Sequence, residues 1–308
     1  MRRRAFVNGL VLSVLAATRA RVWAQGSILA EGQPSRTAQG AATLRAAHQL
    51  VDRPKIFDDP LALRIIGAPA EAGVRANLGR GPFAPVRPFV AVRSRYAEDE
   101  LARAVQRSVR QYVVLGAGLD TFAYRNPYPT SRLRVFEVDH PATQVWKRAR
   151  LQETRIAIPE SLTFAAIDFE KQTLADGLRQ AGFKTDEPAY FSMLGVVMYL
   201  TRDATMSTLK FVASLPSGSE IVFDYTIPPS AMNESDRALY HDVAQRLAAQ
   251  GEPLLSAFDP PTLAGDLRGV GFSRIEDLGP DEIHDRYFKG RTDGLRVNGV
   301  SRLMKAGN

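Results

Sequence analysis

The sequence predicts an α/β fold built on a doubly wound, mostly parallel sheet of seven strands. From Tyr112 onward, short apolar and β-branched runs alternate with segments of helical periodicity, which is typical of a parallel sheet covered on both faces. The first run ends in a glycine turn at Gly116 and Gly118, as the first strand of a doubly wound sheet often does. With 308 residues, 45% hydrophobic and 24% charged, the chain can bury a core of this size.

The chain before the first strand predicts a helical extension. Apolar residues in 34–70 recur at three- and four-residue spacings, and Pro54 and Pro60 interrupt them. The glycines and prolines of residues 79–92 are typical of a loop, and Arg93–Val109 predicts an amphipathic helix.

The later elements follow in alternation, and the last two strands indicate an added antiparallel edge. The seven predicted strands are Tyr112–Leu115, Leu133–Asp139, Leu162–Ile167, a strand with its following turn at 189–200, 220–227, Ser273–Leu278 and Ser301–Lys305. Helices are predicted at 171–183, 202–215 and 233–250, and a helical lid at the insertions 228–262 and 280–298.

The positive charge of the chain is concentrated at its N-terminus. The net charge is +7, but residues 1–24 contain five arginines and no acid, which leaves +2 for the rest. Because the remaining charges are interspersed, the sequence has no basic stripe of the kind that follows a phosphate backbone. Nucleic acid is therefore not an expected partner.

Residues 1–30 have the features of a leader segment. Arg3 and Arg4 precede a short apolar run, Val7–Ala17, as in a twin-arginine export signal, but Arg19 and Arg21 interrupt the usually uncharged region. The run is too short to span a bilayer. A genuine export signal and a start codon assigned too early both stay open. We expect the folded domain to comprise residues 31–308.

Metal and disulfide chemistry is not indicated. The chain has no cysteine, and its four histidines lie far apart in sequence without the spacing of metal ligands. We expect each histidine to be structural or exposed.

The glycine turn indicates which nucleotide the sheet binds. Asp139 ends the second predicted strand 21 residues after Gly118, where an acid can accept ribose hydroxyls, and Glu137 lies on the same strand face. A dinucleotide fingerprint would have a third glycine where this chain has Thr121. Asp120 beside the turn repels a pyrophosphate and suits an ammonium group. These charges favour S-adenosylmethionine over NAD.

Eight segments occur in one order along the chain: SRTAQGAATLRAAH, IFDDPLA, VRSRYAEDEL, VVLGAGLDTFAYR, VFEVDHPATQVWKRA, AIDFEK, GVVMYLTRDA and RYFKGRTDGLR. With these segments the chain resembles the leucine carboxyl methyltransferase-like group of class I S-adenosylmethionine-dependent methyltransferases, in particular its bacterial members of unassigned substrate. The resemblance covers roughly residues 34–306.

The resemblance implies roles for the cofactor-binding residues. Arg93 would pair with the cofactor's carboxylate, Gly116 and Gly118 would let the backbone approach its methionine part, and Asp139 would accept the ribose hydroxyls. Asp168 and Phe169 would hold and flank the adenine. Two alternatives stay open. Arg93 and Arg95 could pair with Glu98 or Asp99 on the same helix, and Asp168 could be a helix N-cap.

Two residues after the fourth strand are expected at the substrate mouth. Relatives that methylate the C-terminal carboxylate of a protein have a glutamate where this chain has Leu194, so a peptide substrate is not expected. Tyr199 matches the family pattern and either lines the substrate mouth or is a buried structural tyrosine.

These observations predict a cytoplasmic enzyme that transfers a methyl group from S-adenosylmethionine to an oxygen, carboxyl or hydroxyl, of a small molecule. No catalytic base is nominated, since a carboxylate acceptor is already ionised at neutral pH. A non-catalytic module that binds S-adenosylmethionine or a nucleotide is the main alternative, and an NAD-dependent redox enzyme is a more distant one. Export by the twin-arginine route is the alternative location. The sequence leaves the oligomeric state open.

Overall fold

The computed structural model of the chain describes residues 35–77, 80–169 and 171–308. The leader hypothesis concerns residues 1–30 and lies outside the described residues.

One sheet of seven strands runs through the molecule in the order β3-β2-β1-β4-β5-β7-β6. Strands β1 to β5 pair in parallel, whereas β7 is antiparallel to both of its neighbours, β5 and β6. The strands are β1 Gln111–Leu115, β2 Arg134–Asp139, β3 Leu162–Ala166, β4 Ala189–Met193, β5 Glu220–Thr226, β6 Arg274–Leu278 and β7 Ser301–Gly307. The predicted doubly wound, mostly parallel sheet is confirmed, although only β7 of the two late strands opposes the others.

Helices precede the sheet and connect its strands. They are α1 Arg36–Val51, α2 Ala62–Ile65, α3 Ala68–Asn77, α4 Arg87–Gln106, α5 Pro141–Glu153, α6 Leu174–Gln180, α7 Arg202–Ala213, α8 Glu234–Ala249, α9 Pro260–Val270 and α10 Pro280–Ile283. The helical extension at the N-terminal side and the helical insertion that contains α8 agree with the prediction.

The loop predicted for residues 79–92 is wrong in its second half, because α4 begins at Arg87. Pro88 lies in the first turn of α4, where a proline removes no helical hydrogen bond and its fixed backbone angle suits the helix. The same residue type that indicated a loop therefore marks the start of a helix.

The core lies on both faces of the sheet, so its strands are apolar on both sides. Val113, Phe136 and Phe191 belong to the cluster on one face, and Tyr112 and Tyr190 belong to the cluster on the other. A parallel sheet buried on both faces requires such continuous apolar runs. This arrangement fixes the carboxyl ends of β1 to β5 as one edge, and the loops at that edge form the site.

A third apolar cluster packs the N-terminal helices against the glycine turn. Ala42 and Ala46 of α1 pack with Leu119, which follows the turn, and with Leu151 at the end of α5. All four side chains are at most 2% exposed. The N-terminal extension therefore forms one side of the site.

Candidate functional site

A cavity of about 860 Å³ opens at the carboxyl edge of the parallel strands. Its floor is made by the ends of β1 to β4, and its roof by the start of α1, the start of α4, α8 and the chain just before β7. Nine of the ten residues predicted at the site line this cavity, and Glu137 does not. The nine are Arg93, Gly116, Gly118, Asp120, Asp139, Asp168, Phe169, Leu194 and Tyr199.

The glycine turn after β1 is tight because two other segments approach it closely. Gly118 has a φ of +39°, and a Cβ there would lie 2.9 Å from the Cβ of Ala38 in α1. Gly116 has a φ of +65°, and a Cβ there would overlap Val196 after β4. Glycine is needed at both positions, since other residues rarely adopt positive φ.

A buried charge network supports the turn from below. Asp59 accepts hydrogen bonds from Arg45 Nε (2.8 Å) and from the Thr121 hydroxyl (2.7 Å), and Arg125 Nε lies 3.4 Å from it. Arg45 also donates to the carbonyl of Leu119 (2.6 Å). Burial alone would raise the pKa of Asp59, but Arg45 and Arg125 hold that pKa below its usual range. Thr121 thus has a structural use that a glycine could not fulfil.

Asp139 lies at the end of β2 and braces the turn. Its Oδ2 accepts the backbone N–H of Gly118 at 2.7 Å, and its Oδ1 accepts the backbone N–H of His140 at 2.8 Å. Burial raises the pKa of Asp139, and the two N–H groups oppose that effect. Each oxygen has a further lone pair, which suits it to the two hydroxyls of a ribose.

Glu137 is buried behind the cavity wall instead of lining it. Its Oε2 lies 2.7 Å from Nζ of Lys147 on α5 and accepts a hydrogen bond from the Tyr124 hydroxyl at 3.1 Å. Burial raises the pKa of Glu137 to about 7, although Lys147 acts in the opposite direction. The residue shares a strand face with Asp139 but lies two positions further from the edge, beneath α5.

Arg93 lines the cavity and pairs with neither of the acids expected on its own helix. It donates to Oδ2 of Asp224 on β5 at 3.1 Å, and its side chain is 12% exposed. Asp99 instead pairs with Arg95, and Glu98 pairs with Arg125. The local alternative is therefore wrong for Arg93.

Asp120 and Asp168 have different local roles. Oδ1 of Asp120 accepts the N–H of Phe122 at 2.8 Å and thereby shapes the short 3₁₀ turn after the glycines. Asp168 follows β3 and forms an ion pair with Lys171 at 2.7 Å. It does not cap a helix, because α6 begins at Leu174 and is capped by Thr173.

Phe169, Leu194 and Tyr199 form apolar parts of the wall. Phe169 packs against the core cluster on one face of the sheet and Leu194 against the cluster on the other. Burial raises the pKa of Tyr199 to about 12, so its phenol is neutral at physiological pH.

The sequence did not reveal a set of hydrogen bonds in the roof of the cavity that joins Glu252 to the start of α1. Glu252, between α8 and α9, accepts hydrogen bonds from the Ser35 hydroxyl (3.0 Å), the Arg36 N–H (2.6 Å) and the Thr37 N–H (3.3 Å) at the start of α1. A carboxylate is favourable at this position because the first N–H groups of a helix are otherwise unpaired. Ser35 is the N-cap of α1 in the structure, and nothing in the sequence identified its partner 217 residues away.

The residues of the cavity fit S-adenosyl-L-methionine. A guanidinium at Arg93 suits a carboxylate, the two acceptor oxygens of Asp139 suit a diol, and the glycine turn admits a ligand close to its backbone. Because the side chain of Asp120 stands beside that turn, the site is a poor fit for a pyrophosphate.

The described residues contain no cluster of three His, Asp or Glu side chains arranged to hold a metal ion. His48 is buried, with Nδ1 at 2.7 Å from Asp52 and Nε2 accepting the N–H of Ile56. Nδ1 of His140 accepts the N–H of Ala142 and caps α5. Within the same described ranges, no helix has the length and hydropathy of a bilayer-spanning segment.

Comparison with known proteins places this chain among similar sequences and folds. The model of a family described as leucine carboxyl methyltransferase matches residues 38–213. YktD of Bacillus subtilis (strain 168), named as an S-adenosyl-L-methionine-dependent methyltransferase, is 34% identical over 291 residues, which is 86% of this chain and 95% of YktD. A Mycobacterium avium (strain 104) protein with the same type of name is 32% identical over 216 residues, 67% of this chain and 72% of its own.

The fold has a counterpart among solved structures. A DUF574 family protein from Streptomyces avermitilis superimposes with a TM-score of 0.53 at 16% identity, over 86% of this chain and 97% of that protein.

Proposed function

This chain belongs to the leucine carboxyl methyltransferase family and is an S-adenosyl-L-methionine-dependent methyltransferase, and from that premise we propose that it methylates a carboxyl or hydroxyl oxygen of a small molecule with an apolar body. The observation that carries the proposal is the composition of the cavity wall. The polar residues suited to the cofactor lie at the ends of β1 to β3 and at Arg93 on α4, whereas the wall formed by β4 and α8 is mostly apolar.

The apolar wall supports an acceptor compartment separate from the cofactor site. Leu194 and Met198 follow β4, and Leu239, Val243 and Leu247 lie along α8 at helical spacing on the side that lines the cavity. A module that only sensed S-adenosylmethionine would need the polar half of the cavity but not this second compartment. The wall therefore favours an enzyme over the sensor alternative.

No carboxylate or imidazole base stands over the acceptor compartment among the described residues that line the cavity. Their ionisable acids and histidine are Asp120, Asp139, His140, Asp168 and Glu252. The first four lie at the ends of β1 to β3, and Glu252 is bound to the first turn of α1. This arrangement favours a carboxylate acceptor, which needs no deprotonation at neutral pH, over a hydroxyl acceptor.

The residues of the chain would hold both reactants in line. S-adenosylmethionine, when bound, would supply an electrophilic methyl carbon, to which the acceptor oxygen bonds as the carbon–sulfur bond breaks and S-adenosylhomocysteine is released. Arg93 would hold the amino-acid carboxylate of the cofactor, and Asp139 the ribose hydroxyls. The apolar wall would exclude water from the acceptor oxygen, so that alignment and desolvation provide the rate enhancement.

A labelled-methyl assay tests this proposal. The protein is incubated with S-adenosylmethionine labelled in its methyl group and with pools of apolar carboxylic acids or phenols. A methyl ester releases its label as volatile methanol in alkali, whereas a methyl ether keeps it. We expect transfer into the acids. Label found on nitrogen or carbon, or no transfer from a cofactor that binds, would contradict oxygen methylation.

Reaction without a base predicts a nearly flat pH profile. An acceptor carboxyl group is ionised above about pH 6, and Tyr199, with its pKa raised to about 12, stays neutral far above that. We therefore expect kcat/KM for the acid substrate to vary less than about twofold between about pH 6 and pH 9. A rate that rises tenfold per pH unit would indicate deprotonation of a hydroxyl acceptor instead.

We also propose that the enzyme works in the cytoplasm, because S-adenosylmethionine is made and held inside the cell. Fractionation of cells and N-terminal sequencing of the native protein test this. Val22 and Ala24 have the small side chains of a possible signal-cleavage site, so a periplasmic product that begins at Gln25 would contradict the cytoplasmic location.

A further inference from the structure

Asp224 is a buried carboxylate on β5 that the proposed chemistry leaves unused. Its side chain is fully buried, with Oδ2 at 3.1 Å from Nη1 of Arg93. Its Oδ1 accepts the backbone N–H of Gly195, in the loop after β4, at 2.6 Å. One carboxylate thus joins α4, β5 and the β4 loop.

The sheet itself does not require a charge at this position. Asp224 is a central residue of β5, paired through the backbone with Leu303 of β7. An apolar side chain could fill that position, and a buried ion pair is rarely more stabilising than well-packed apolar residues. The charge is better explained by what it holds in place.

Gly195 shows how closely the β4 loop is fitted to the pair. Its φ is +69°, and a Cβ at this position would lie 2.7 Å from Nη2 of Arg93. The backbone of the loop therefore lies directly against the guanidinium. Leu194, the first residue of the apolar wall, immediately precedes this contact.

We propose that Asp224 is a positioning residue that sets Arg93 for the cofactor's carboxylate with one oxygen and fixes the β4 loop beside the acceptor with the other. The inference rests on the proposed function, because it assigns the two contacts to the cofactor half and the acceptor half of the same cavity. Through these two contacts, Asp224 would hold the amino-acid end of the methyl donor in a fixed position relative to the apolar wall, against which the acceptor lies.

Binding of two cofactor-like molecules tests the inference without any turnover. S-adenosylhomocysteine carries the amino-acid end, and 5′-methylthioadenosine has the same adenosine and thioether but lacks that end. We expect Asp224→Asn to weaken S-adenosylhomocysteine binding at least about tenfold and 5′-methylthioadenosine binding less than about twofold, measured by titration calorimetry. Equal losses for both molecules, or no loss for either, would overturn the inference.

Glu220→Gln is the matched control, since Glu220 is a buried carboxylate at the opposite end of the same strand and pairs with Arg107. We expect it to leave both affinities within about twofold of the wild type. A selective loss in this variant as well would overturn a role specific to Asp224.

A second variant serves if Asp224→Asn does not fold. Gly195→Ala places a methyl group against the guanidinium of Arg93 and leaves Asp224 intact. The same selective loss for S-adenosylhomocysteine is expected, and an unselective effect would count against the inference. Wild-type protein that binds S-adenosylhomocysteine yet methylates no oxygen would contradict the proposed function but not the selective pattern.

Discussion

Asp139→Ala is expected to weaken S-adenosylhomocysteine binding about 100-fold. Two charge-assisted hydrogen bonds to ribose hydroxyls are each worth about 1.5–3 kcal/mol, and a loss of about 3 kcal/mol corresponds to a factor of roughly 100 in Kd. The variant also removes the acceptor for the N–H groups of Gly118 and His140, so the glycine turn loses the hydrogen bond that ties it to the end of β2. Titration calorimetry at constant salt measures the effect.

Two further variants separate the charge of Asp139 from a general disturbance. Asp139→Asn keeps one carbonyl acceptor and should give an intermediate loss of affinity. Asp242→Ala removes an exposed carboxylate that pairs with Arg246 on α8, and it should leave the Kd unchanged. An Asp139→Ala protein that melts normally and binds with wild-type affinity would remove Asp139 from the cofactor site.

The second large effect concerns stability. Asp59→Asn should destabilise the fold by about 3 kcal/mol, because removing one partner of a buried ion pair leaves the other charge uncompensated. Arg45 and Arg125 would both lose their shared carboxylate. For a domain of this size the change corresponds to a Tm lower by about 6–12 °C, measurable by differential scanning calorimetry.

The neighbouring residue provides the control for that experiment. Asp58 has a side chain that is 73% exposed and pairs with Lys55 at the surface. Asp58→Asn should change the stability by less than about 0.5 kcal/mol. Equal Tm values for the two variants would show that the buried network contributes little to stability.

The sequence predicted the sheet well because its signals are local. Each strand is a short apolar run, the three connections after β3, β4 and β5 carry a helical pattern, and the glycine turn marks the first strand. The start of α4 was predicted wrongly because Pro88 is compatible both with a loop and with the first turn of a helix. Local preference alone does not separate these two cases.

The site was predictable only where strand position determined it. Asp139 and Glu137 share a strand face, and both were expected at the ligand. Asp139 lies at the sheet edge beside Gly118, whereas Glu137 lies where Lys147 reaches it from α5. The packing of α5 on the sheet decides this difference, and strand periodicity carries no information about it.

Long-range partners were out of reach of local spacing. Arg93 has two acids within six positions on its own helix, yet its partner Asp224 is 131 residues away on a strand. To predict that pair, one must know the strand order and how α4 packs against β5. Thr121 is a similar case. Its presence in place of a third glycine was attributed to the type of ligand, but in the structure its hydroxyl donates a hydrogen bond to Asp59.

The cavity separates polar residues at the ends of β1 to β3 from an apolar wall on β4 and α8, and this separation has an evolutionary consequence. The strand ends adjoin side chains that are buried in the core, so we expect few substitutions there to be tolerated. The wall residues of α8, Leu239, Val243 and Leu247, lie on a helix between β5 and β6, outside the sheet. Selection can therefore change the acceptor molecule while preserving the methyl donor, and descendants of one ancestor can diversify in substrate behind a conserved chemistry.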